Sequence, residues 1–280
     1  MRRRLIQIIS AVVANPYLPS LFTKEIYQGK LKGFCVPVLN CYSCPLAIFA
    51  CPIGALQHFF ASARATLAVG SYQLGLYVIG TLGVVSAVIG RMACGWACPF
   101  GLLQELLYKI PSPKSEIPRF WSHFKYLFLA ITVVLLPILV VDDFGYGQTW
   151  FCKWICPAGT LEAGIPMVTL NENIRGQIGF QFGFKTSLLV LFLGWMVLNR
   201  RPFCRTVCPL GAIFSFFNKV SIFKLGFDKD KCIRCNACYR VCPTALKVYE
   251  NANSPDCIRC LKCINACKQN AVDYNLTMLN

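Results

Sequence analysis

The sequence predicts an all-α membrane domain of four transmembrane helices in a two-fold pseudo-symmetric repeat, followed by a small α+β domain at the C-terminus. Three observations carry that prediction. Of the 280 residues 56% are hydrophobic and 14% charged, with a mean hydropathy of +0.52, too apolar for an ordinary soluble domain of this size. A Cys-Pro-x-Gly signature follows each of four apolar stretches. Cysteines are also dense between Cys232 and Cys267, in the runs CIRCNACYRVCP and CIRCLKCINACK.

The last of these fixes the chemistry. Two copies of CxxCxxCxxxC are the pattern of a bacterial-type double-cluster ferredoxin domain, in which three close thiolates cap one [4Fe-4S] cubane and the fourth reaches across to the other. Cluster A is assigned to Cys232, Cys235, Cys238 and Cys267, and cluster B to Cys257, Cys260, Cys263 and Cys242. Zinc ribbons space their thiolates as separated pairs and need no returning fourth ligand. Lys268 stands where such motifs usually carry proline, which loosens a turn and removes no ligand. The expected boundary divides a membrane domain, 1–220, from the ferredoxin domain, 221–280. Free thiolates require a reducing compartment, so the ferredoxin domain is expected in the cytoplasm, and the 18 cysteines are not read as disulfides.

The expected first span is Leu5 to Phe22, kinked by Asn15, Pro16 and Pro19; its basic start resembles a signal peptide, but no small-residue cleavage site follows. Ala65 to Gly90 has no charge over 26 residues and gives the second span. Tyr126 to Val141 and Thr186 to Asn199 give the third and fourth, each short and extended by a snorkelling Lys125 or Lys185. With both termini inside, the inner segments hold 21 Lys and Arg and the outer loops 7. This is the positive-inside bias of a multi-pass protein of the cytoplasmic membrane with both termini cytoplasmic.

The spans are followed by Cys51-Pro-Ile-Gly, Cys98-Pro-Phe-Gly, Cys156-Pro-Ala-Gly and Cys208-Pro-Leu-Gly, and three of these carry a cysteine four residues earlier: Cys94, Cys152 and Cys204. Each proline suits the first turn of a helix, whose positive end then faces an anionic thiolate-ligated cluster. A repeat of two spans plus two motifs places Cys94 and Cys98 with Cys204 and Cys208 on one face. Cys152 and Cys156 emerge on the opposite face with Cys51, and because position 47 is alanine the missing ligand is Cys44 or Cys41, with Cys44 preferred. Cys35 is then spare, together with one of Cys41 and Cys44. Segments such as Leu102 to Ile110 and Ala212 to Val220 read as interfacial helices.

A net charge of +16 does not point to nucleic acid, because the cations are scattered along membrane-flanking loops. Arg91, Arg201, Arg205, Arg234 and Arg259 lie beside cysteines and would favour a reduced, more negative cluster. The two histidines, His58 and His123, are not placed mid-span, which disfavours a b-type haem pair. No phosphate loop, dinucleotide fingerprint or nucleophile elbow is present.

Taken with Tyr27-Gln28-Gly29-Lys30-Leu31-Lys32 and Leu39-Asn40-Cys41-Tyr42-Ser43-Cys44-Pro45, these motifs resemble the NapH-like membrane polyferredoxins over essentially the whole chain. The resemblance implies an electron conduit between the quinone pool and partner redox proteins of respiratory systems. The expected function is a membrane electron carrier holding two ferredoxin clusters and one or two more in the membrane domain, with redox protein partners on the cytoplasmic or outer face and quinone as a further candidate ligand. The alternatives are a quinol dehydrogenase subunit and an iron–sulfur protein that matures or regulates a partner enzyme.

Overall fold

The computed structural model describes residues 2–69, 73–143 and 145–276. Its first helix, α1 (Arg2–Ala14), is shorter than the expected span, because Asn15 precedes Pro16 and a residue before proline is pushed out of the helical region. The chain then turns, and Asn15 and Asn40 exchange amide hydrogen bonds at 2.9 and 3.1 Å, fixing the end of α1 to the following loop.

The predicted second span is divided. Helix α2 (Pro52–Val69) and helix α3 (Gln73–Ile89) pack side by side, with the Phe59 ring against the backbone of Gly75. Gly70, Ser71 and Tyr72, which belong to that predicted span, lie outside the described residues. Two short helices follow, α4 (Met92–Trp96) and α5 (Pro99–Leu107), the latter with proline in its first turn after Cys98.

Among the described residues, two helices are long and apolar enough to cross a membrane: α6 (Arg119–Leu139) and, further along, Phe180–Leu198; Gly75–Ile89 is a shorter apolar stretch. Both long helices begin earlier than the apolar runs predict. Within α6 the segment Leu129–Leu135 widens to a π-helix just before Pro137, whose missing N–H and ring disturb the regular ladder. A second π-turn, α7 (Phe151–Ile155), leads through Cys156 into a helical stretch, α8 (157–170). Next come α9 (Phe180–Leu198), α10 (Pro202–Thr206) and α11 (Pro209–Phe217).

The C-terminal fold is small. Strand β1 (Phe223–Phe227) pairs antiparallel with the last strand, β2 (Val272–Leu276), in the register Phe223 to Leu276. Between them lie α12 (Ala237–Val241) and α13 (Lys262–Ala266), which pack on each other. One core runs from α2 through α11 and takes in Ile258, so the loop before α13 is packed into the helical body.

Candidate functional site

In the C-terminal fold the two cysteine runs adopt the same local path. Arg234, Asn236 and Ala245 have positive φ of 52°, 58° and 52°, and Arg259, Leu261 and Asn270 repeat this at 48°, 61° and 49°. A non-glycine residue in this region costs roughly 1–2 kcal/mol. The conformation is held because it turns successive backbone N–H groups inward, a nest suited to an anion. One cavity, of about 280 Å³, is lined by Cys232, Cys235, Cys238 and Cys267. Another is lined by Cys242, Cys257, Cys260 and Cys263. The fourth cysteine of each run therefore crosses to the other set. Burial pushes the Cys257 and Cys263 thiols up to about 12, so they ionise only when a metal takes the thiolate.

The inner set is built by reciprocity. Arg91 and Arg201, fully buried, each cross the repeat: Arg91 Nη2 donates to the Cys204 carbonyl at 3.0 Å and Arg201 Nη1 to the Cys94 carbonyl at 2.8 Å. This brings Cys94, Cys98, Cys204 and Cys208 within electrostatic range of one another. The motif glycines make room for the guanidinium groups. A Cβ on Gly101 would stand 3.1 Å from Arg201, and one on Gly211 would stand 2.9 Å from Arg91.

The outer set converges on a cavity of about 500 Å³ lined by Cys41, Cys51, Cys152 and Cys156. Cys41 lines this cavity, whereas Cys44, the residue expected there, does not. Cys44 is buried near Lys32, and Lys32 Nζ donates to the Ala47 carbonyl at 2.7 Å. Cys35 stands near Cys51 but also outside the lining. The physical reason is a third set of cross-repeat contacts that motif alignment did not reveal. The sixth residue after the motif cysteine reaches back to the first cysteine of the facing motif. Gln57 Nε2 donates to Cys152 Sγ at 3.0 Å, and Gln104 Nε2 donates to Cys204 Sγ at 2.9 Å. Glu162, in the same position of its motif, accepts the Cys41 N–H at 2.6 Å, which puts Cys41 where the other motifs have their first cysteine. Burial pushes the Glu162 carboxyl up to about 7.

Among the described residues no three His, Cys, Asp or Glu side chains converge closely enough to hold a single metal ion. Among the described residues, buried cationic donors also lack partners: Arg91 Nε, Arg201 Nε and Arg259 Nε have no hydrogen bond. An anionic cluster satisfies such groups.

The ferredoxin fold is fastened to the inner set. Asp256 meets Lys125 at 2.5 Å and Arg91 at 3.4 Å, and Trp96 Nε1 donates to the Arg259 carbonyl at 3.0 Å. Gly95, between Cys94 and Cys98, lies under the Ile258 carbonyl so closely that a Cβ would stand 2.3 Å away. Arg205 is buried and donates to the Ile117 carbonyl, whereas Arg234 is exposed. His58 bonds the Tyr42 hydroxyl at 2.9 Å and His123 the Phe120 carbonyl at 3.2 Å; neither lines the outer cavity.

Comparison with known proteins agrees with this chemistry. A family model described as a 4Fe-4S binding domain matches residues 49–67, 73–118, 123–165 and 184–228, and one described as a 4Fe-4S dicluster domain matches 224–268. An uncharacterized protein of Methanocaldococcus jannaschii is 31% identical over 218 residues, covering 74% of each chain. The ferredoxin-type protein NapH of Haemophilus influenzae is 24% identical over 52% of this chain and 69% of its own, and that of Escherichia coli is 26% identical over 66% and 62%. No solved structure matches. On these matches and the cysteine geometry, the chain belongs to the NapH-like polyferredoxin family of [4Fe-4S] electron-transfer proteins.

Proposed function

We propose that the chain is a multi-pass electron carrier of the cytoplasmic membrane whose four cysteine sets form one line, from the ferredoxin sets A and B through the inner set to the outer set. The observation that carries this reading is a pair of neighbouring amides. The Leu39 N–H is directed to Cys98 of the inner set, and the Asn40 N–H to Cys51 of the outer set. Consecutive residues are about 3.8 Å apart, so these two thiols stand on the order of 10 Å from each other. The outer set is therefore folded inward on the loop before α2, and the full apolar thickness of roughly 30 Å need not be crossed in one step. At the other end, Arg201 lies within electrostatic range of both Cys98 and Cys260, joining the inner set to cluster B.

Bound in these sets, [4Fe-4S] clusters supply one-electron chemistry. The residues contribute spacing, N–H donors to sulfur, and the Arg91 and Arg201 charges. A membrane setting is supported by the exposed faces of the helices. On α1 Leu5, Ile6, Ile8, Ile9, Val12 and Val13 are exposed, and on α3 so are Leu76, Ile79, Val84 and Val88. Water disfavours apolar patches of this extent, whereas lipid does not. In this reading α6 and α9 span the layer, α1 and α3 complete the four-helix membrane domain over 1–220, and residues 221–280 form the cytoplasmic ferredoxin domain.

Iron and acid-labile sulfide on anaerobically purified protein test the line. About 16 iron atoms are expected in the wild type and about 12 in the Cys152→Ser, Cys156→Ser variant and in Cys41→Ser, with Cys44→Ser unchanged. About 8 in every form would leave a membrane-anchored ferredoxin and no line.

A quinol-oxidising role is favoured by the outer cavity, which extends beyond its thiols to Met167, Val168, Ile174 and Phe182, with Lys153 and Lys185 also in its lining. This is an apolar slot with a few polar groups, beside the outer set.

A further inference from the structure

A cavity of about 180 Å³ lies where the start of α1, the end of α5, the residues after α9 and the ferredoxin fold meet. Its lining includes Arg4, Lys109, Arg200, Arg201, Arg240 and Lys262, and its only carboxylate among the described residues is Glu105. That carboxylate is already engaged. It pairs with Arg3, with Arg201 at 2.8 Å and with Lys262 at 3.7 Å. Arg200 donates to the Tyr239 and Cys242 carbonyls at 2.9 and 3.2 Å and lies over the Tyr108 and Tyr239 rings. Among the described residues the Arg240 side chain donates only to the Cys235 carbonyl, at 3.3 Å. Arg4 and Lys109 have no ion-pair partner among the described residues. Arg201 belongs to the inner set, Arg240 also lines the cavity of Cys232, Cys235, Cys238 and Cys267, and Cys242 stands in the lining here, whereas Arg4 and Lys109 are exposed and line none of the other cysteine cavities.

Crowding like charges around one concavity is unfavourable unless an anion occupies it. Arginine forks and lysine point charges, with a tyrosine hydroxyl beside them, match the oxygens of a phosphate better than a single carboxylate. Arg4 is in the first turn of α1 and Arg200 follows the end of α9, so two apolar helices deliver their flanking cations to one place. We propose that this cavity binds a phosphate group, carried by an anionic lipid headgroup or by a free phosphate compound. Because Arg240 and Lys262 come from the ferredoxin fold and the other cations do not, the bound phosphate ties that fold to the helical body.

The test uses cluster-loaded full-length protein as wild type, as Arg4→Glu/Lys109→Glu, and as Lys219→Glu/Lys229→Glu, which makes the same charge change at exposed sites away from the cavity. Phosphatidylglycerol against phosphatidylcholine is measured by native mass spectrometry, and inorganic pyrophosphate by calorimetry. For a lipid ligand, phosphatidylglycerol is retained by wild type and control and bound at least about tenfold more weakly by the cavity variant, at equal iron content. For a free phosphate compound, pyrophosphate shows that same pattern and phosphatidylglycerol shows no preference. If neither ligand separates the cavity variant from the control, the proposal is overturned.

Discussion

Gln57 and Gln104 each give a side-chain N–H to a cysteine sulfur contributed by the facing motif. A donor on a cluster thiolate favours the more negative, reduced state, so removing it lowers the potential. Gln57→Leu should lower the potential of the outer set and Gln104→Leu that of the inner set, each by on the order of 50 mV, with iron content retained. A redox titration followed by electron paramagnetic resonance reads this shift, and an unchanged potential would leave the amides a packing role only. The signal for these residues was present in the sequence as CPIGALQ, CPFGLLQ and CPAGTLE, but the repeat fails at Phe214. Only the fold reveals that the sixth residue turns across the repeat, which is why motif spacing alone favours Cys44 over Cys41. The grouping of the C-terminal cysteines into two cavities was legible because their spacing is local. The crossing of Cys242 and Cys267 follows from the same short runs.

At the scale of elements, the motif glycines set how closely the two halves approach. Gly211 admits Arg91 and Gly101 admits Arg201, whereas a Cβ on Gly159 would only touch Cys41 Sγ at 3.7 Å, an ordinary contact. Gly211→Ala is therefore expected to reduce the iron held by the inner set, Gly101→Ala to do so less, and Gly159→Ala to leave the outer set filled. Equal iron loss in Gly159→Ala and Gly211→Ala would show that the glycines matter for helix starts and not for the guanidinium groups. Helix existence was readable from apolar runs, and the starts of α5 and α11 from their prolines. Helix ends were less so. α6 and α9 begin before the uninterrupted apolar runs, at Arg119 and Phe180, and in α9 Lys185 Nζ bonds the Cys152 carbonyl at 3.2 Å. The run 65–90 reads as one span by its lack of charge, and the mark of the division between α2 and α3 is the Gly70-Ser71 pair, a turn signal outweighed by the apolar residues on either side.

On the scale of the whole molecule, the loop carrying Leu39 and Asn40 decides what the protein can do. It has no regular helix or strand around Cys41, and its irregular backbone is tolerated because Val38, Leu39 and Asn40 are buried in the core and the Asn40 amide exchanges hydrogen bonds with Asn15. Sequence periodicity carries no record of such a loop. In the proposed line the 500 Å³ cavity stands at one end and the exposed Cys235 at the other. A quinol entering that cavity would meet the outer set first, and a soluble partner would meet cluster A first. With a membrane quinol as donor, Met167→Trp should fill the apolar part of the cavity and slow reduction of the ferredoxin clusters by about tenfold or more. Dithionite reduction of the same variant should match wild type, because that small reductant can enter at cluster A. If quinol reduces the variant at the wild-type rate, the cavity is not the quinol site and electrons enter elsewhere. If quinol reduces neither form while dithionite reduces both, the outer end serves a protein partner in place of the quinone pool.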